Sequence, residues 1–574
     1  MQMRCGTSSC SIISLLNQIM INDQETPACA NVVMKQHGSN AVVAPRSEIV
    51  SSARTMLHLV SLFLIAICAH SVGTHPWAAP ARAEPMETVW TDVLPRLPTE
   101  SEDVVILASA SGEKRVSLRS REQSAAELAP LPLFTDLLMQ ASPRTFGSDG
   151  RCFAERDDSA LRLRCRKGQS ISGVTLAFKS SRLPADAALD AKLSSAGSRE
   201  FRAQVTAKDT DAEDLQAVSR GTQRLRLPQL ASNLEPQLVI VAPRQGGTLI
   251  LEKLEIVPSY PTGRVAELSA WAWSPDLWRT NPTGLIQTAQ LKGVKRLFVT
   301  LEVKDGKLRH AADLRNFVSL AGRGGIKIEA VEGDPRMASV DGLRRALVRA
   351  RAYAAYQRMS PAATRLAGIQ YDVEPYILSE WRGDSVDYNR WANAITRLAE
   401  AAGEPVDLVV PFWIMGSGGG TSFLDQVEDF TRGLTVMSYR TDAALLSQVA
   451  EPLLAWGSRR GKPVRLALEN GPLADESEEI YRPAASGTLA LMEGPKPRVV
   501  LLKSADVVSG ARMYRLTHQS VIHGATLSFL GREVEMKALA DRAGAALSAW
   551  PAFSGFALHG LPWPVSAAQP PGAP

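Results

Sequence analysis

Two different patterns of apolar and polar positions divide the chain. Over residues 87–258 the apolar runs are short and separated by polar turns, as at 104–107 (VVIL), 172–178 (SGVTLAF), 201–205, 225–227 and 238–241. Regularly spaced short strands of this kind predict a β-sandwich. After residue 261 the pattern changes to apolar strands alternating with longer amphipathic stretches. Strands are predicted at 267–273, 295–303, 326–331, 368–373, 406–412, 434–438, 464–468 and 555–558. Helices are predicted at 311–321, 341–358 and 388–402, the last with Ser385 as its cap.

Strand ends recur roughly every 30 to 40 residues, the spacing of a (β/α)8 barrel. The expected fold class is therefore α/β: a (β/α)8 TIM barrel over 261–566, preceded by a β-sandwich over 84–260. The gap between the seventh and eighth strands is about three times the usual spacing. It is read as an insertion spanning about 474–530, whose runs 488–491 and 499–502 look like extra strands. Residues 567–574 read as a disordered tail.

The first long apolar run, 57–69 (LHLVSLFLIAICA), has 13 residues. That is short for a bilayer span but fits the core of a signal peptide. Ala81-Arg82-Ala83 follows as a cleavage pattern, so residues 1–83 read as leader and signal peptide. The mature protein is expected to begin near Glu84, with no stable membrane span, in the bacterial periplasm or outside the cell. Of the six cysteines only Cys152 and Cys165 lie beyond that site. Their midpoint falls in the turn-like run Asp157-Asp158-Ser159, which would place them opposite each other in a hairpin, so a disulfide is expected.

A net charge of +5 over 574 residues, with no basic cluster interleaved with aromatics, gives no nucleic-acid footprint. No C-x-x-C or H-x-x-x-H spacing suggests a metal, and no cofactor is expected.

Chemistry in such a barrel sits where the strands end. Those positions are acidic and aromatic: Trp271 and Trp273; Glu332 with Asp334; Asp372 and Glu374; Trp413; Tyr439 and Arg440; Glu469; His559 and Trp563. Asp372 and Glu374 are two residues apart on a strand, so both point into the mouth. Two neighbouring carboxylates raise one pKa, and a carboxyl still protonated near neutrality is what a general acid for glycosidic cleavage needs. The same pair would also serve as a structural charge network. Glu469 would either stabilise the anomeric centre or pair with an arginine such as Arg440. The tryptophans would be core or a sugar-stacking surface. Glu332 and Asp334 would meet substrate or shape a loop. His559 reads as a hydrogen-bonded wall residue. The run Gly416-Ser417-Gly418-Gly419-Gly420 lacks a phosphate-loop lysine and reads as a mobile substrate loop.

Residues 367–374 (AGIQYDVE) resemble the strand-four signature D-x-x-D-x-D-x-E of family 18, chitinase-like glycoside hydrolases. That resemblance implies that Glu374 is the catalytic acid and Asp372 its supporting aspartate. Met437-Ser438-Tyr439-Arg440 resembles the family's strand-six M-x-Y-D, with Tyr439 on the tyrosine, and Trp563 matches its aromatic floor. Ala367, Gln370 and Arg440 stand where the family has aspartates. The loss at Arg440 weighs against an N-acetylated substrate, because that aspartate helps hold the N-acetyl group. Glu374 and Glu469 also resemble the strand-four acid and strand-seven nucleophile of retaining barrel glycosidases, although Val373 replaces the usual Asn. The stretch 247–257 (GTLILEKLEIV) resembles the closing strand of jelly-roll carbohydrate-binding modules.

These readings imply an exported glycoside hydrolase acting on a polysaccharide or oligosaccharide through a carboxylate general acid. The alternative is a catalytically inactive barrel that binds glycan as a lectin or scaffold.

Overall fold

The computed structural model describes residues 88–563 except 95–96, 101, 110–113, 121–127, 198–199, 209, 211, 232, 260–265, 379 and 495. The leader, the cleavage site and the C-terminal tail lie outside the described residues. Among the described residues no helix is long and apolar enough to cross a membrane.

Eight parallel strands close into a barrel: β1 (Glu267–Ala272), β2 (Val294–Val299), β3 (Lys327–Glu332), β4 (Ile369–Tyr371), β5 (Val406–Pro411), β6 (Thr431–Met437), β7 (Val464–Glu469) and β8 (Phe553–His559). Each pairs with the next in sequence, and β8 returns to β1 through pairs such as Leu268 with Phe556. All eight predicted strands are present, and so are the three predicted helices, at Ala311–Arg323, Val340–Met359 and Ser385–Ala402. The cap of the last is Asp384 rather than Ser385: Asp384 Oδ1 accepts the Asp387 backbone N–H at 3.0 Å. The helix begins at Ser385 itself, so the residue before it takes the cap position.

A charged layer plugs the amino end of the barrel. Arg296 on β2 meets Glu267 at 2.8 Å and also Glu329. Arg432 on β6 reaches Glu329 at 2.9 Å and Asp407 at 2.5 Å, and Arg465 on β7 stands 3.7 Å from Asp407. Glu329 is fully buried. Burial, with Asp407 beside it, pushes its carboxyl up to about 7 despite the arginines. For Asp407 burial acts upward, but the hydrogen bond and charge of Arg432 hold it below the usual range.

Residues 129–258 form two five-stranded antiparallel sheets. One runs Gly221–Arg226, Leu189–Gly197, Gly247–Pro258, Leu161–Cys165, Cys152–Arg156. The other runs Gln216–Ala217, Arg202–Ala207, Pro236–Val241, Gly173–Ala177, Ser142–Phe146. Alternate residues of both sheets, among them Leu161, Leu163, Val174, Leu176, Ala203, Val205, Leu249 and Leu251, are buried in a shared core. Cys152 and Cys165 are bonded and sit directly opposite in the hairpin register. Asp157 shapes its turn by accepting the backbone N–H groups of Ser159 and Ala160 at 2.9 and 2.8 Å. These sheets dock beside the amino end of β8: Trp550 Nε1 donates to Ala185 O, and Ala188 N to Ala549 O, both at 2.8 Å.

Residues 88–120 do not join those sheets, contrary to the expected 84–260 unit. Thr88–Val93, Glu102–Ser109 and Lys114–Ser120 pair instead with the insertion strands Glu476–Pro483, Gly487–Met492, Arg498–Asp506 and Ala511–Ile522 in one seven-stranded sheet. Ile106 pairs with Glu479, and Trp90 with Leu501. The apolar face of 104–107 is buried against Leu489, Leu491, Val499 and Tyr514. A strand's own sequence says that it needs an apolar partner but not which distant strand supplies it.

Candidate active site

The mouth of the barrel is built around the end of β4. Gln370 lies on the interior face of β4, and Asp372 and Glu374 follow beyond the strand's last residue, Tyr371, before Pro375 opens a 3-10 turn, Pro375–Ile377. Beneath the carboxyls, Gln370 accepts the Trp271 indole N–H at 2.8 Å and donates to Thr435 Oγ1 at 3.1 Å. This explains why a glutamine serves here: one amide links β1, β4 and β6.

Asp372 and Glu374 are 5% and 4% exposed. Burial foremost, then the adjacent Asp372, drives the Glu374 carboxyl well above the usual range, and the Tyr376 hydroxyl partly opposes this. That hydroxyl donates to Glu374 Oε2 at 2.5 Å. Burial pushes Asp372 up to about 7, with His559 pulling the other way.

Glu469 and His559 end adjacent strands and face each other in register. His559 Nδ1 lies 2.7 Å from Glu469 Oε2, while Glu469 Oε1 accepts the Gly471 N–H at 2.5 Å. Burial alone would raise Glu469, but His559 and the Gly471 and Asn470 amides outweigh it, and the carboxyl is held below the usual range. For His559 burial acts downward, yet Glu469 and Asp372 carry the imidazole above its ordinary value.

The expected alternative partner of Glu469, Arg440, is not its partner. Arg440 folds back, donating to Tyr439 O at 2.8 Å and lying 4.8 Å over the Phe412 ring. Tyr439 is buried, its ring 6.5 Å from His559. The tryptophans divide. Trp271 and Trp273 are buried and stacked on each other at 6.4 Å, edge-on to His559. Trp413 and Trp563 are half-buried; Trp413 packs edge-to-face on Tyr376 at 5.0 Å and Trp563 donates to Trp271 O at 2.7 Å.

Glu332 is drawn away from the mouth. It falls on the outward face of β3 with Ile328 and Ala330, where Arg349 Nε meets it at 2.9 Å and Tyr353 donates to it. Asp334 accepts the Arg336 N–H at 2.9 Å, capping a turn as one of its two expected roles. The glycine run is pinned: Tyr388 donates to Ser417 Oγ at 2.7 Å, and a Cβ on Gly419 would strike the Tyr388 ring at 2.1 Å. Close packing thus accounts for Gly419.

Tyr376 and Gln370 were not singled out as site residues by sequence. Tyr376 stands two residues beyond Glu374, and the intervening Pro375 was the available signal for a turn that brings it back. Among the described residues no three His, Cys, Asp or Glu side chains converge as metal ligands.

No protein-family model matches the chain, and no curated protein matches it. Solved structures similar to it include a chitinase from Chromobacterium violaceum, with 13% identity, 51% of this chain and 93% of that one covered, and a TM-score of 0.28. The spore cortex-lytic enzyme SleL of Bacillus cereus aligns at 12% identity over 55% of this chain and 75% of its own, with a TM-score of 0.29. A Clostridium thermocellum endo-1,4-β-D-xylanase, crystallised with xylohexaose, aligns at 12% identity over 59% of this chain and 80% of its own, with a TM-score of 0.24. At these scores the likeness carries no conclusion about chemistry.

Proposed function

We propose that the protein is an exported glycoside hydrolase acting on a polysaccharide, with Glu374 as its general acid. The observation that carries this reading is a pair of neighbouring buried carboxyls, in which burial and the charge of Asp372 raise Glu374 above the usual carboxylate range and favour its acid form. Glu374 gives that proton to the glycosidic oxygen as the bond to the anomeric carbon breaks. Water adds to that carbon, and the proton it releases restores the acid, so the net reaction consumes one water. Asp372 tunes Glu374 through its charge. Trp413 and Trp563, half-buried at the rim, offer flat apolar faces to a sugar ring. In this reading the two five-stranded sheets form a jelly-roll-like β-sandwich, an accessory domain docked away from the mouth.

One observation favours the rival reading of a glycan-binding barrel without turnover: the carboxyls are nearly sealed while two rim tryptophans stay accessible. Reducing-end release from a panel of soluble polysaccharides separates the two. The hydrolase reading predicts release from at least one member of the panel. Binding without release across the panel would leave the lectin.

A further inference from the structure

Three features set the Glu469–His559 pair apart from the acid. Each Glu469 oxygen accepts a hydrogen bond, one from His559 and one from the Gly471 amide, which fixes the carboxylate against the imidazole. His559 Nε2 is buried without a hydrogen-bond partner, and so is Asp372 Oδ1. Both belong to residues more than nine-tenths buried, and both lie in the mouth: the His559 ring is bordered by Trp271 and Trp273 from the end of β1 and by Tyr439 from the end of β6. A buried donor or acceptor without a partner is costly, because it gives up its bonds to water and gains none. Asp372 and His559 also act on each other's charge, and two such atoms on neighbouring residues are what a missing ligand group would satisfy.

We propose that Glu469 is a positioning residue rather than a nucleophile, and that His559 Nε2 and Asp372 Oδ1 form a donor–acceptor pair for one O–H group at the reacting sugar. An O–H oxygen accepts from Nε2–H and donates to Oδ1. A sugar hydroxyl and a water molecule share this chemistry. The proposal rests on the glycosidase reading for its ligand, but its first half concerns the protein alone. The charged and titratable groups facing His559 are Glu469 from β7, Asp372 from the end of β4 and Tyr439 from the end of β6. The two carboxylates favour an imidazolium, with Nδ1–H on Glu469 and Nε2–H directed at the ligand.

The test uses 15N NMR of the imidazoles in the full-length protein, with His559 assigned by its loss in His559→Gln. Without ligand, His559 is expected to lose its second proton at higher pH in the parent than in Glu469→Gln. An unchanged His559 titration in Glu469→Gln overturns the positioning role. Xylohexaose, cellohexaose and chitohexaose are then titrated in. The hexasaccharide that binds should move the Nε2 resonance, and an unmoved resonance overturns the ligand half. In His559→Phe a sugar-hydroxyl contact predicts about 10–100-fold weaker binding and raised KM. A held water predicts unchanged KM and a kcat lower by a similar factor. His559→Phe with both constants unchanged overturns the proposal. A parent that binds no saccharide removes the hydroxyl assignment together with the glycosidase reading, while the charge on His559 is still read independently.

Discussion

At the scale of single residues, Glu374 is balanced between two neighbours that act in opposite directions. Asp372 raises its pKa by charge, and the Tyr376 hydroxyl lowers it by bonding to the carboxylate. Removing each therefore shifts the alkaline limb of the pH–rate profile in opposite senses. Asp372→Asn lets Glu374 lose its proton earlier, so the limb moves to lower pH. Tyr376→Phe removes stabilisation of the ionised form, and the limb moves to higher pH. Rates measured from pH 5 to 9 check both, and a shift opposite in sign to the one predicted would show that the neighbour concerned does not act on the acid as described. That Asp372 acts on Glu374 was readable from two positions, because residues two apart at the end of one strand stay close whatever the rest of the chain does. The partner of Glu469 was not readable, because a strand-seven residue finds Arg440 or His559 only after the barrel has closed.

At the scale of elements, the barrel's amino end depends on arginines whose carboxylate partners come from other strands. Arg432 bridges Glu329 and Asp407. Replacing it with methionine leaves both carboxyls short of a counter-charge in a buried layer, and stability should fall by about 3–5 kcal/mol in urea unfolding. A loss below 1 kcal/mol would mean that solvent or rearrangement supplies the missing charge. The hairpin disulfide closes a short loop, so Cys152→Ala with Cys165→Ala should cost roughly 3 kcal/mol in the same assay. The eight strands were legible because apolar runs in a barrel are local signals. The ionic layer was not, since Arg296, Glu329, Asp407, Arg432 and Arg465 lie far apart in sequence and each looks like an ordinary charged residue at a strand start.

At the scale of the molecule, the insertion after β7 joins strands 88–120 in a single sheet, so the first described strand is held by a segment just over 400 positions later. Pattern reading gave these runs as strands and assigned 104–107 to the wrong neighbours, because pairing choice lies in the complementarity of two distant apolar faces. A global pH dependence follows from the buried acids. Glu329, Asp372 and Glu374 have folded-state pKa values above their ordinary ones, the first two at about 7, and His559 is raised as well. Between the unfolded carboxylate range near 4 and about pH 7 the native state holds protons that the unfolded chain has released. Stability from these groups is full below that range and is lost as pH rises through about 7. Melting temperature should therefore fall from pH 5.5 to 8.5, and the decline should be shallower in the double variant Asp372→Asn, Glu374→Gln. An equally steep decline in that variant would assign the effect to Glu329 and His559.

The central claim, that Glu374 is the proton donor, is tested most directly by comparing Glu374→Gln with the parent on a polysaccharide the parent cleaves. Glutamine keeps the size of the side chain and removes the transferable proton. Turnover is predicted to fall about 10²–10⁴-fold while glycan affinity is retained. Undiminished turnover in Glu374→Gln would contradict the account.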